Sequence, residues 1–175
     1  MKRMPECLAH MDAGIARVSE SLPDAPLQEI VLTRLLLLVG GHLLNELESN
    51  LKPFGLNDSD FRTLMMIYTS PSGSATPSEL CEYAQQGATN MTRIANVLVK
   101  AGLVTRASSA EDRRKVVLSI TTAGKRLVRK ILPPLFPQVH AAFASLSASD
   151  KRTLDRLLRQ VAVNIDLLTH PDPRP

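Results

Sequence analysis

The chain has 175 residues, 44% of them apolar, and a formal net charge of +4 from 21 Lys plus Arg against 17 Asp plus Glu. That is enough for one ordinary buried core and a single domain spanning 1–175. At the amino terminus no cationic start is followed by the apolar centre and small-residue cleavage site of a secretory leader, and the longest apolar run, 35–44, interrupted by His42 and preceded by Arg34, falls short of the roughly 20 residues that a bilayer span needs. A cytoplasmic protein with no membrane partner is the expectation.

In chain order, Cys7 comes first. It stands three residues before His10 in a polar amino-terminal stretch, which leaves a redox or metal role open, while Cys81 reads as packing. The two share no CxxC pairing, so neither a disulfide framework nor zinc spacing is expected. Residues 28–52 then read as a long helix. Its Ile30, Leu32, Leu35, Leu36, Leu38, Leu43, Leu44, Leu47 and Leu51 spread over much of its circumference, so it needs cover on several sides and suggests contact with a second subunit. The run Lys52-Pro53-Phe54-Gly55 stops it.

Asn57 or Asp58 can cap a second helix reaching Thr69, with Phe61, Leu64, Met65 and Tyr68 at helical spacing toward a core. Residues 71–75 read as a break. Thr76-Pro77-Ser78-Glu79 has the form of a capping box and opens a short helix to Ala84. Gln85-Gln86-Gly87 is a tight turn, and 88–101 reads as a further helix closed by Gly102. Two helices joined by a three-residue turn fit helix-turn-helix geometry. In the second of them Met91, Ile94, Leu98 and Ala101 are predicted to face inward, leaving Thr89, Arg93, Asn96 and Lys100 as a polar stripe. Its first turn carries Thr89, Asn90, Thr92 and Arg93, whose hydroxyl, amide and guanidinium groups can bond base edges, and its amino-terminal amides suit a phosphate.

Leu103 to Arg106 and Val116 to Ile120 are rich in β-branched residues around the turn chemistry of 108–114, which predicts a β-hairpin with a cationic tip. Between 86 and 115 lie Arg93, Lys100, Arg106, Arg113, Arg114 and Lys115 against only Glu111 and Asp112, so the whole formal excess sits on one helix and one hairpin. A field so confined can neutralise phosphates and release counterions, although a solvated basic face has the same composition. After Thr121 the chain returns to helix, which Pro133, Pro134 and Pro137 are expected to bend or break. Ser147-Ala148-Ser149-Asp150 resembles another capping box. The last helix carries Leu154, Leu157, Leu158, Val161, Ile165 and Leu168 in a stripe suited to pairing with the first across a twofold axis.

The run Asp112-Arg113-Arg114-Lys115-Val116-Val117-Leu118-Ser119-Ile120-Thr121 resembles the wing signature of the MarR family, Asp-x-Arg, five residues, Leu-Thr, with Ile120 in place of Leu. The resemblance spans roughly 27–168. It implies a mainly α, α+β winged-helix fold: a winged helix-turn-helix region over 56–120, with dimerisation helices at 27–52 and 121–168. It further implies a homodimeric DNA-binding transcriptional regulator on a pseudopalindromic operator. Residues 28–35, 90–95 and 131–134 look like the branch of repressors that control multidrug-efflux operons.

On that resemblance the DNA contacts fall on Gln86, Thr89, Asn90, Thr92, Arg93, Asn96, Arg113, Arg114 and Lys115. Asp112 and Arg114 alternate on one side of the hairpin, so the carboxylate can hold the guanidinium toward a narrow groove, or can simply stiffen the loop. A small lipophilic or phenolic inducer is implied, with His42, Phe61, Met65 and Met66 as candidate lining residues, each of which also reads as ordinary core. Catalysis is not expected: there is no glycine-rich phosphate loop or nucleophile motif, and His10, His42, His140 and His170 are scattered. No catalytic residue, metal site or cofactor is assigned. Two other readings stand beside the regulator: a thiol redox sensor on the same scaffold, and a winged-helix interaction module that never touches DNA.

Overall fold

The computed structural model describes residues 3–84, 87–108 and 115–169. The chain divides into two compact units, Met1–Gly124 and Lys125–Pro175. The first holds α1 (Met4–Ser21), α2 (Leu27–Leu51), a 3-10 turn (Lys52–Phe54), α3 (Asp58–Thr69), β1 (Ser74–Ala75), α4 (Pro77–Ala84), α5 (Ala88–Lys100), β2 (Val104–Ser108) and β3 (Val116–Ile120). Helix α6 (Thr122–Ala142) begins there and runs into the second unit, which also holds α7 (Ala148–Thr169). The fold is mostly helical with one small antiparallel sheet, ordered β1-β3-β2.

Helix α1 is an addition to the expected elements. Pro5 stands at its start, where a missing donor costs nothing. Met4, Cys7, Leu8, Met11, Ile15 and Val18 form its less exposed stripe, with Met11 buried, and α1 packs on α2. That three-and-four spacing was the available signal, obscured by short and polar residues between.

Helix α2 leaves much of its apolar surface open: Leu32, Leu36, Leu37, Val39, Leu43 and Leu44 are all exposed. Residues 27–54 form a helical stretch long and apolar enough, by length and composition alone, to cross a bilayer. This departs from the expectation drawn from the 35–44 run. The longer stretch tolerates Arg34, which precedes that run, and His42, which interrupts it.

The core of the first unit is built where α3, α4, α5 and the sheet meet, with Leu64, Ile67, Leu80, Met91, Ile94, Leu98 and Leu118 almost wholly buried. On α5 the inward stripe is Met91, Ile94, Ala95 and Leu98, whereas Ala101, expected inside, is exposed. The helix has already ended there. Gly102 takes φ +69°, its N–H bonds the Val99 carbonyl at 2.9 Å, and the Leu103 N–H bonds the Leu98 carbonyl at 2.9 Å. This reversal turns Ala101 outward and puts Leu103 inside instead.

Strand β2 pairs with β3 from Val104 opposite Ile120 to Ser108 opposite Val116. The segment expected to be only a break contributes β1, with Ser74 opposite Ser119 and Ala75 opposite Leu118. Two residues cannot show an alternating pattern, so only the partner strand defines them.

Three helices open as their capping signatures predict. The Asn57 side chain accepts the Asp60 N–H at 2.9 Å while the Asp60 carboxylate accepts the Asn57 N–H at 3.3 Å. Glu79 accepts from the Thr76 N–H at 2.7 Å and Thr76 Oγ1 accepts from the Glu79 N–H at 3.3 Å. Ser147 and Asp150 repeat the arrangement at α7. In α6, Pro133, Pro134 and Pro137 lie inside a continuous helix rather than breaking it. Pro133, Pro134 and Pro137 are all exposed, while Val128, Ile131 and Leu135 are buried at helical spacing. The carbonyls that lose an N–H partner therefore lie toward water.

Hydrogen bonds from the Thr76 backbone and then its hydroxyl hold the Glu79 carboxyl below the usual carboxylate range, with a smaller attraction from Lys115. A carboxyl lowered by folding stabilises the native state above its unfolded value, and that contribution is lost as pH falls through the folded one. Glu79→Gln is therefore expected to lower the melting temperature at pH 7 and to flatten its decline below about pH 5. A wild-type acid profile would contradict this.

The hairpin joins α6 through a tight contact. Thr121 Oγ1 donates to the Gly102 and Leu103 carbonyls (2.8 and 3.1 Å) and accepts the Gly124 N–H at 2.9 Å. A Cβ at Gly124 would stand 2.2 Å from the Leu103 oxygen. Because that neighbour is backbone, Gly124→Ala is expected to cost about 1 to 3 kcal/mol, measured by denaturant unfolding.

Candidate nucleic-acid interface

Helix α5 presents one continuous exposed face. Thr89, Thr92, Arg93, Asn96 and Lys100 are all solvent-accessible on it, and Asn90 is half-buried. The opposite side is held in the core by the four buried apolar residues, so this face points away from it. Gly87 begins the helix in an extended conformation with no side-chain cap bond, which leaves its first N–H groups for a ligand or water.

The polar groups on this face are already partly committed. Thr92 Oγ1 donates to the Ala88 carbonyl at 3.0 Å, so its oxygen remains an acceptor. Arg93 Nε donates to Asn90 Oδ1 at 3.0 Å and Arg93 Nη2 to Asp60 Oδ1 at 3.3 Å. The Asp60 side chain is only 4% exposed, against 47% for Arg93. Asp60 does not stand out in the sequence, because its partner lies 33 positions away and its local role as a helix cap is sufficient reason for it.

The hairpin extends the cationic surface. Arg106 on β2 and Lys115 just before β3 are both exposed. Lys115 helps to line a groove of about 580 Å³ whose walls also include Ser72, Ser74, Thr76, Ser108 and Ser119. These hydroxyls also escape a reading of the sequence. Ser72, Ser74 and Thr76 alternate in sequence, but only pairing of β3 with both β1 and β2 brings them to one groove with Ser119 and Ser108. Gln86, Asp112, Arg113 and Arg114 lie outside the described residues.

The residues expected to line an inducer site sit on α2 and α3. Phe61 is buried at 5% exposure, Met65 and Met66 lie beside it on α3, and His42 is half-buried with Nδ1 donating to the Leu38 carbonyl at 3.1 Å, since a carbonyl can only accept. Elsewhere, Cys7, His10, Met11, Arg34, Leu37 and Leu38 line a cavity of about 400 Å³ between α1 and α2. Cys7 and Cys81 are both free thiols, half-buried.

Comparison with known proteins agrees with this geometry. The MarR family model matches residues 54–115. The chain is 35% identical over 143 residues to the transcriptional repressor MprA of Escherichia coli K12, covering 82% of this chain and 81% of that protein. Among solved structures, AbsC, a MarR family transcriptional regulator from Streptomyces coelicolor, matches with a TM-score of 0.71 and 27% identity, over 79% of this chain and 94% of AbsC. A cysteine-to-serine mutant of Escherichia coli MarR, complexed with operator DNA, matches with a TM-score of 0.67 and 26% identity, over 82% of this chain and 96% of that one. A helix-turn-helix followed by a basic hairpin, an amino-terminal and two carboxy-terminal helices, and likeness over four-fifths of a curated relative lead to one conclusion: the chain belongs to the MarR family of winged-helix, DNA-binding transcriptional regulators.

Proposed function

We propose that this protein is a homodimeric repressor of a multidrug-efflux operon, released from its operator by small lipophilic or phenolic compounds. The observation that carries the DNA reading is the exposed face of α5, bearing Thr89, Thr92, Arg93, Asn96 and Lys100 beside a hairpin edged by Arg106 and Lys115. The reading helix enters a major groove and the wing follows the flanking minor groove, with Arg114 oriented by Asp112 and with Arg113 and Lys115 on phosphates. The likeness to a MarR structure in complex with operator DNA supports this reading.

Two copies are called for by the physics of both dimerisation segments. The apolar residues left open on α2, and Leu154, Leu157, Leu158, Val161, Ile165 and Leu168 on α7, are exposed in the single chain and would be covered by a second subunit. A twofold pair also supplies two reading helices about one helical turn of DNA apart, as half-sites require. The efflux assignment rests on the resemblance carried by residues 28–35, 90–95 and 131–134, and the repressor role is supported by the likeness to the transcriptional repressor MprA. An inducer bound near His42, Phe61, Met65 and Met66 acts by favouring a state whose reading heads no longer match the half-sites.

A salt titration against the duplex upstream of the protein's own gene tests the proposal. Roughly 8 to 10 phosphate contacts give a slope of log K on log salt near −7 to −9, whereas a flat response would favour a protein-interaction module. Arg114→Ala is expected to weaken binding by about 1 to 3 kcal/mol; unchanged affinity would remove the wing from the mechanism. In the same assay a phenolic inducer should raise the protein concentration needed for half-occupancy and should raise the melting temperature of the DNA-free dimer. A compound that does neither is not an inducer, and failure across a broad phenolic set would end the efflux reading.

A further inference from the structure

We infer that Asp60 is the positioning residue of the reading helix, and that Arg93, which by sequence looks like a base reader, is the strut through which it acts. The inference rests on the DNA-binding reading of α5 and adds to it the element that sets the helix's orientation.

Asp60 serves two helices at once. One carboxylate oxygen accepts the Asn57 N–H and closes the cap of α3; the other accepts Arg93 Nη2 from α5 at 3.3 Å. The carboxylate is 4% exposed, so its charge is withdrawn from water and depends on those partners. Arg93 is fixed a second time by Nε donating to Asn90 Oδ1 at 3.0 Å, one helical turn back on its own helix. Asn57, Asp60, Arg93 and Asn90 thus form a single chain of hydrogen bonds from the amino terminus of α3 to the first turn of α5.

The apolar contacts of Met91, Ile94, Ala95 and Leu98 hold α5 in the core, but apolar packing is non-directional and tolerates small rotations. A hydrogen-bonded ion pair does not. With Arg93 tied down, Thr89, Thr92 and Asn96 on the same face keep one angle to the duplex. The N–H of Nε and one of Nη2 are engaged and the charge is matched by a buried carboxylate, so the remaining N–H donors point where these two bonds fix them and the guanidinium is not free to swing onto a base edge.

Asp60→Asn keeps the size and the hydrogen-bonding oxygen that the cap needs while removing the charge. Binding is measured to two probes: the duplex that wild-type protein selects from a randomised pool, and a shuffled duplex of equal length and composition. Asp60→Asn should weaken binding to the selected duplex about tenfold while leaving the shuffled duplex unchanged or tighter, because a negative charge beside the reading face is gone. A fold defect would lower both together. Arg93→Met should also weaken the selected duplex and lower the melting temperature, since it strands a buried carboxylate. The double variant should melt above Arg93→Met alone and bind the selected duplex no more weakly.

Proportional loss on both duplexes, no loss on either, or additive effects in the double variant would overturn the inference. If wild-type protein selects no duplex, the DNA-binding reading itself fails and this one falls with it. If wild type selects one and Asp60→Asn discriminates as well as wild type, only the positioning role is lost.

Discussion

The backbone at Leu103 is the point on which the arrangement of α5, the hairpin and the start of α6 depends. Its N–H closes α5 onto the Leu98 carbonyl, its carbonyl accepts both the N–H and the hydroxyl of Thr121, and its side chain is buried. Helix α5, the hairpin and the first turn of α6 are therefore tied through one residue. The bare Cα of Gly124 is what allows that approach. A side chain there would push the first turn of α6 away from the end of α5.

Around this joint the electrostatics are asymmetric by construction. The formal excess of positive charge falls on α5 and the hairpin, and the remainder of the chain is balanced. Carboxylates near this face are not free to cancel it at random. Asp60 is buried against Arg93, and Glu79 is held by Thr76 at the head of α4. Both acidic groups are tied into helix caps, and Asp60 is paired with Arg93 as well.

The distribution of apolar surface divides along the same line. Where α3, α4, α5 and the sheet meet, the side chains close over one another and the core needs nothing further. On α2 and α7 they do not, and the exposed leucines and valines of both helices are the strongest physical reason for a second copy. In α6 the prolines show the same logic at the level of the backbone, since they stand off the buried stripe, where water can reach the carbonyls they leave unpaired.

Capping pairs at Asn57, Thr76 and Ser147, the glycine at 102 and the periodicity of α3 to α5 are local: each involves residues within four or five positions. The helices from α2 onward, their order and the hairpin that follows them were for that reason legible in the chain, and the wing signature placed it in its family on the same footing. Whatever depends on distant segments meeting was left to the folded molecule. Strand β1 exists only because β3 lies beside it, the hydroxyl-lined groove only because the two pair, and Ala101 turns outward because the helix end reverses toward Leu103. The ion pair between Asp60 and Arg93 joins residues 33 positions apart. No local pattern encodes such a pairing, because what selects it is the cost of leaving a buried carboxylate without a partner, and that cost arises only once the chain has closed around it.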